Sequence, residues 1–407
     1  MLLRSVVARM TTCVTLGCLA ACGGDDTHGD PPTPPAYAYV TSIPDGETQP
    51  GTVYQYAVGT DGSLTLLSAA SVAAGITPTS IVSDPAGRYV YVVNQGDATI
   101  SQYVVGTGGG LVPLSPATVS LGVLFPDVPF PALAGGTASI DPSGRFLYVV
   151  LTPRDPPTLL AYIAQYSIGS GGTLSPLTPA SVSVPAASVG PLVIEPSGHY
   201  AYLAGVTSTS SAEISQFSLG DDGTLSALTP AAVAVTARTT GIAIASGGQA
   251  YVLSYCIDSA CDGEVARYTL GTGGTLTATG STVLTGSHII PVDMVFDTSG
   301  SSAYLLSNLM GVDTNTGGVE GYSINSSGDL VADSPASVGV ASGAVAETPY
   351  GQNLYALSSK GLGVVSNPQT GGNIDHYAIG ANGKLSALGT VTVAAGTPTG
   401  IAVVTTH

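Results

Sequence analysis

Tryptophan is absent from this 407-residue chain, lysine occurs only at Lys360 and Lys384, and charged residues of every kind make up 9%. Basic side chains are scarce: nine Lys and Arg stand against 26 Asp and Glu, a formal net charge of −17. No basic stripe offsets that field, which excludes a nucleic acid partner and disfavours strongly anionic small substrates. Long stretches with a period near 3.6 residues and helix-forming surface residues are also lacking. A phosphate-binding loop, a nucleophile elbow and a zinc-binding helix motif are all absent. What remains is rich in Gly, Ser, Thr, Ala and Val, a composition that favours strands and tight turns.

The first residues read as an export signal. Arg4 and Arg9 form a basic start, and the apolar run Met10–Ala21 is too short to cross a bilayer as a stable helix. Leu19-Ala20-Ala21-Cys22 resembles a bacterial lipobox, which implies a signal peptide over 1–21, lipidation of Cys22 and a flexible Gly/Pro-rich tether over 22–35. Because Arg4 and Arg9 leave with the signal, the remainder carries 7 basic and 26 acidic side chains, a charge of −19. The expected location is the bacterial cell envelope, lipid-anchored, on a periplasmic or outer-surface face. Of the remaining cysteines, Cys256 and Cys261 lie close together, and an even pair in an exported chain reads as a local disulfide.

From residue 36 to 407 a short pattern keeps returning. Asp141-Pro-Ser-Gly-Arg-Phe-Leu-Tyr-Val-Val150 is a turn feeding a strand, with Pro presetting φ, Gly accepting positive φ and Asp placed to cap the turn. Variants begin at Asp84, Glu195 and Asp297, with weaker copies at Ala245 and Thr348. A second motif ends in an aromatic residue, as in Ile100-Ser-Gln-Tyr103 and Ile214-Ser-Gln-Phe217, and leads into a Gly-rich hairpin turn. Four strand-like segments, a to d, recur seven times, which predicts a seven-bladed β-propeller with four antiparallel strands per blade. The N-terminus begins at segment b (Ala36–Val40) and the C-terminus ends with segment a (Pro398–Val404). The last strand is therefore expected to become the inner strand of the first blade and close the ring.

The Asp-Pro-x-Gly-Arg-x-x-Tyr-Val turn, the Ile-x-Gln-Tyr strand and the Gly-x-x-Gly-x-Leu turn resemble the bacterial lactonase-type propellers. These are the 6-phosphogluconolactonase-like proteins and relatives with Tyr-Val repeats, and the likeness covers about 36–404. The resemblance implies the propeller fold and a lactonase or binding role. It brings no catalytic motif, because the shared residues are those of turns and packing.

Propeller connections alternate between two rims. The a–b and c–d turns are short and uniform, whereas the b–c and d–a connections vary, so any site is expected on the b–c/d–a rim at the channel mouth. Lactone hydrolysis needs a base to activate water and a donor for the developing oxyanion. His288 with Asp293 could orient a water and Arg238 could steady the oxyanion. Arg154, Asp155, Lys360 and Asp127 are further rim groups able to bind a ligand. Arg88, Arg145 and His199 share one position on the opposite rim and read as structural, while Arg267 and His376, replacing Gln in segment c, read as satisfying inter-blade polar groups. No cofactor and no metal site is expected. The reading is an exported, monomeric envelope module binding a protein, glycan or small lactone, touching the membrane only through Cys22, with hydrolysis of a neutral sugar-type lactone as the alternative.

Overall fold

A computed structural model describes residues 35–406 apart from 45–48, 122–132, 154–159, 187, 208–210, 256–261, 288, 310–317, 339–344, 348–350 and 360–371. The described residues form 28 strands in seven four-stranded antiparallel sheets and no helix. Each sheet runs from an inner strand a to an outer strand d. Consecutive inner strands touch one another around a closed ring. The fold is a seven-bladed β-propeller, as the repeat predicts.

Closure follows the complementary ends. Blade one takes its inner strand, Thr397–Thr405, from the C-terminus and pairs it antiparallel with Ala36–Ile43, from Ala36 opposite Thr405 to Ile43 opposite Thr397. Blades two to seven follow in chain order.

No blade buries both of its faces alone. The described residues form seven hydrophobic clusters, one for each seam between neighbouring blades. In the seam of blades five and six, Tyr251, Leu253 and Val265 meet Ala303, Leu305 and Tyr322. Alternate residues of one strand face opposite neighbours, which is why the b strands read as near-continuous apolar runs. Each large side chain buried this way contributes about 1.5–3 kcal/mol.

Polar groups tie the same seams at the a–b/c–d rim. The b-strand tyrosines Tyr39, Tyr91, Tyr148, Tyr202, Tyr251, Tyr304 and Tyr355 each donate their hydroxyl to a glycine carbonyl in the next blade's c–d turn, at 2.5–2.9 Å. In blades one to four a c-strand glutamine adds a second tie. Gln165 Nε2 donates to Pro179 O (3.0 Å) in its own outer strand, and its Oε1 accepts from Leu225 N (2.8 Å) in the next blade. Gln55, Gln102 and Gln216 repeat the arrangement.

The turn acids cap as expected. Asp141 Oδ1 accepts from the amides of Arg145 and Phe146, both at 2.7 Å, and Asp84 holds Arg88 and Tyr89 alike.

Candidate functional site

The a–b/c–d rim is chemically occupied. Arg88 pairs with Asp84 (3.0 Å) and lies over the Tyr89 ring, and Arg145 lies over Phe146. His199 Nδ1 is 2.7 Å from the Ser197 hydroxyl. These residues serve the turns, as the repeat implies. Arg267 reaches into the next blade, donating to Ser327 O and pairing with Asp329 at 3.1 Å. His376 differs from that expectation in part: its Nε2 bonds Asn353 Oδ1 (2.9 Å) within its own blade, and its ring stacks on Tyr355 at 4.9 Å. It meets the neighbouring blade by packing against the Gly62 turn.

The opposite rim is where side chains are left over. Arg238 is the first residue of blade five's inner strand, Arg238–Ile244, opposite Tyr255. The next two residues are engaged with the blades on either side. Thr239 Oγ1 donates to Gly205 O (3.1 Å) in blade four and Thr240 Oγ1 to Pro291 O (2.6 Å) in blade six. Strand alternation turns Arg238 to the face opposite Thr239, toward blade six. Its Nε is buried with no partner among the described residues. It is also the one described Lys or Arg at this rim, since Arg88, Arg145, Arg267 and Lys384 all lie toward the other.

Asp293 lies on blade six's inner strand, Ile289–Phe296, just past a bulge between Pro291 and Asp293. Its Oδ1 accepts from Met294 N at 2.9 Å. It lines a cavity of about 380 Å³ against Pro191, Val193, Ile242, Ile244 and Val295 of the inner strands of blades four to six. That cavity continues to Ser246 and Asp297, in the turns of the opposite rim. Asp293 therefore faces a largely apolar stretch of channel wall.

The register separates the two candidates. Asp293 pairs with Leu306 and Gly241 pairs with Leu253, which are equivalent positions of adjacent blades. Asp293 is thus level with Gly241, three residues along the strand from Arg238. Ser80, Thr137 and Gly400 hold that level in blades two, three and one, opposite Val93, Val150 and Thr41, so Asp293 is the one carboxylate among the residues so paired.

Other expected residues lie outside the described residues: His288, Arg154, Asp155, Lys360, Asp127, the lipidation candidate Cys22 and the pair Cys256 and Cys261. Among the described residues no three His, Cys, Asp or Glu side chains converge as a metal site would require.

Sequence reasoning missed a clustering of irregularities. Besides Arg238 Nε, the buried atoms Thr285 Oγ1, Asn308 Oδ1, Asp333 Oδ2 and Asp375 Oδ2 have no hydrogen-bond partner among the described residues, and all belong to blades five to seven. Blades one to four contribute the Tyr56 and Tyr166 hydroxyls. Blade six also buries a carboxylate, Glu320, whose Oε2 accepts from the Tyr322 hydroxyl at 2.7 Å and whose pKa burial pushes up. The available signal was the loss of the c-strand glutamine, replaced by Arg267, Gly321 and His376 in three consecutive blades.

This is a seven-bladed propeller with a saturated rim and an irregular sector. Solved structures sharing the fold include a periplasmic gluconolactonase from Pseudomonas aeruginosa, with TM-score 0.66 and 18% identity over 92% of this chain and 100% of that one. A putative 6-phosphogluconolactonase from Bacteroides fragilis gives TM-score 0.63 and 18% identity over 92% and 100%. One from Bacteroides uniformis gives 0.63 and 17% over 91% and 100%. No protein-family model matches the chain, and no curated protein matches it in sequence.

Proposed function

We propose that this chain is an exported, lipid-anchored propeller that binds a small, uncharged, hydroxylated ring compound of the sugar-lactone class. The site is the mouth of the central channel between blades five and six. The observation that carries the reading is Arg238 at that mouth, with its unpartnered Nε, and Asp293 three residues further along the channel on the next blade, on the wall of a largely apolar cavity, in blades where the repeat is broken. Departures from local regularity are expected at functional sites, because regular blades need no such exceptions. A pocket with apolar walls and few polar groups suits a sugar-type ring. The acidic chain favours a neutral ligand over a phosphorylated one.

Titration of the chain with sugar lactones and their sugar alcohols by calorimetry tests this. Binding weakened at least tenfold by Asp293→Ala, with folding intact by circular dichroism, supports it. Absence of binding, or binding indifferent to Asp293, rejects it.

Hydrolysis is the second reading, favoured by the lactonase names of the proteins that share the fold. In that role Asp293, with His288, would hold the attacking water, and Arg238 would stabilise the oxyanion. Lactone turnover in a pH-stat above the spontaneous rate, lost in Asp293→Asn, supports hydrolysis; no turnover across a lactone panel leaves the chain a binding module. Export is read from the Leu19–Cys22 lipobox, and the periplasmic protein sharing the fold agrees with it. Palmitate labelling of the wild type, absent in Cys22→Ala, is the expected result.

A further inference from the structure

We infer that Arg238 is a carboxylate anchor, so that the channel mouth holds the ring-opened hydroxy-acid form of its ligand more tightly than any neutral form. The inference rests on the reading that the mouth takes a sugar-type lactone. When water opens such a ring, its oxygen bonds to the acyl carbon and the ring C–O bond breaks. The released alkoxide takes a proton, and at neutral pH the new acid is a carboxylate anion.

The atom left over on Arg238 matters. A guanidinium presents two edges to a carboxylate, and the side-on edge consists of Nε–H and one Nη–H, two parallel donors matching two oxygens. It is Nε that is buried without a partner. A buried N–H left unpaired is destabilising, so a bound carboxylate would relieve a cost the free protein already carries. Arg238 is also fixed at one end. Its backbone begins the inner strand opposite Tyr255, and the hydroxyls of Thr239 and Thr240 bond into blades four and six, so binding has only the side chain to order.

The charge pattern selects among anions. Arg238 is the sole described cation at this rim, within a chain of net charge −17. One guanidinium in an acidic field suits a monoanion, and among the described residues no second cation at this rim offsets the repulsion a dianionic phosphate would meet. The shape of the donor edge and the count of described cations point to the same chemistry, a single planar carboxylate.

The experiment compares D-gluconate with D-glucitol, which has the same carbon chain and hydroxyls but no carboxylate, by calorimetry at pH 7 and low salt. Inorganic phosphate serves as a competitor. The expected result is gluconate at least tenfold tighter than glucitol in the wild type. That ratio should fall to near one in Arg238→Gln. It should fall nearly as far in Arg238→Lys, which keeps the charge but has no side-on pair of donors. Circular dichroism and melting of both variants confirm that they fold. A wild-type ratio near one, a ratio unchanged in either variant, or phosphate displacing gluconate at equal concentration would overturn the inference. Gluconate binding that depends on Arg238, with no binding of lactone or glucitol at all, would instead overturn the proposed function and leave the anchor standing.

Discussion

Blades one to four and blades five to seven use one scaffold and settle its seams differently. In the first group the b strand opens with an aromatic residue, Tyr37, Tyr89, Phe146 or Tyr200, pressed on a glycine of the next blade's c–d turn. At Gly223 a Cβ would lie 2.2 Å from the Phe146 ring, and its φ of 82° would strain any other residue. The second group has Gln249, Ser302 and Asn353 at that position. The first group carries the glutamine clasp; the second carries Arg267, Gly321 and His376. Yet the tyrosine-to-glycine bond persists in all seven seams, 2.7 Å in blade five and 2.9 Å in blade six. The tyrosine tie is common to every seam; the glutamine clasp gives way in blade five to Arg267, which bonds into the next blade, and in blade six to Gly321, which has no side chain to offer.

Removing the clasp from a regular blade should have the largest effect. Gln165→Ala strands the Leu225 amide and the Pro179 carbonyl and is expected to cost on the order of 3 kcal/mol in chemical denaturation. If it costs no more than an exposed substitution, the two groups of blades do not differ in this way. The reverse change should sharpen the contrast. Gly321 has ordinary backbone angles, and a Cβ there would meet nothing closer than 3.4 Å. Gly321→Gln should restore the tie between blades six and seven and add about 1 kcal/mol, from new hydrogen bonds and from loss of glycine's freedom in the unfolded chain.

Smaller effects concern charge. Burial raises the pKa of Glu320, so folding favours its protonated form relative to the unfolded chain. Its contribution to stability is complete below the unfolded value, near 4.5, and is lost as pH rises through the folded value. Glu320→Gln should therefore match the wild type at pH 4 and melt higher at pH 8, with the Tyr322 hydroxyl still able to donate. A melting difference of the opposite sign would mean that the carboxylate has an ionic partner in its seam.

His376 behaves in the opposite sense and should give the smallest change. Burial lowers its pKa from 6.5 against a weaker opposing pull from Asp61. The unfolded chain then binds the proton more readily, so stability is full above pH 6.5 and falls as pH drops through that value. His376→Gln should flatten the acid side of the melting profile, read as melting temperature between pH 7 and 5.

Much of this was legible beforehand. Pro and Gly at fixed offsets marked the turns, and the Tyr-Val runs marked strands buried on both faces. The unmatched ends, Ala36–Val40 without an inner strand and Pro398–Val404 without a sheet, forced the closure that the pairing of Ala36 with Thr405 confirms. Arg238 and Asp293 were legible as residues at variable connections. Their separation along the channel was not, because it is read from the strand pairing, which sets Asp293 opposite Leu306 and Arg238 opposite Tyr255. Glu320 looked like an unremarkable member of its repeat, and only its burial at 9% exposure shows a carboxylate inside a seam.

By itself the sequence determined the blade count, the order of strands and the way the ring shuts. Those follow from local turn chemistry and from an apolar pattern that each blade can satisfy only against a neighbour. The tertiary structure alone decided which rim is used up, which side chains are left without partners and how deep in the channel each one lies. Hydrogen bonds between residues seventy positions apart and the register of neighbouring strands set those outcomes, and neither leaves a mark in a linear pattern.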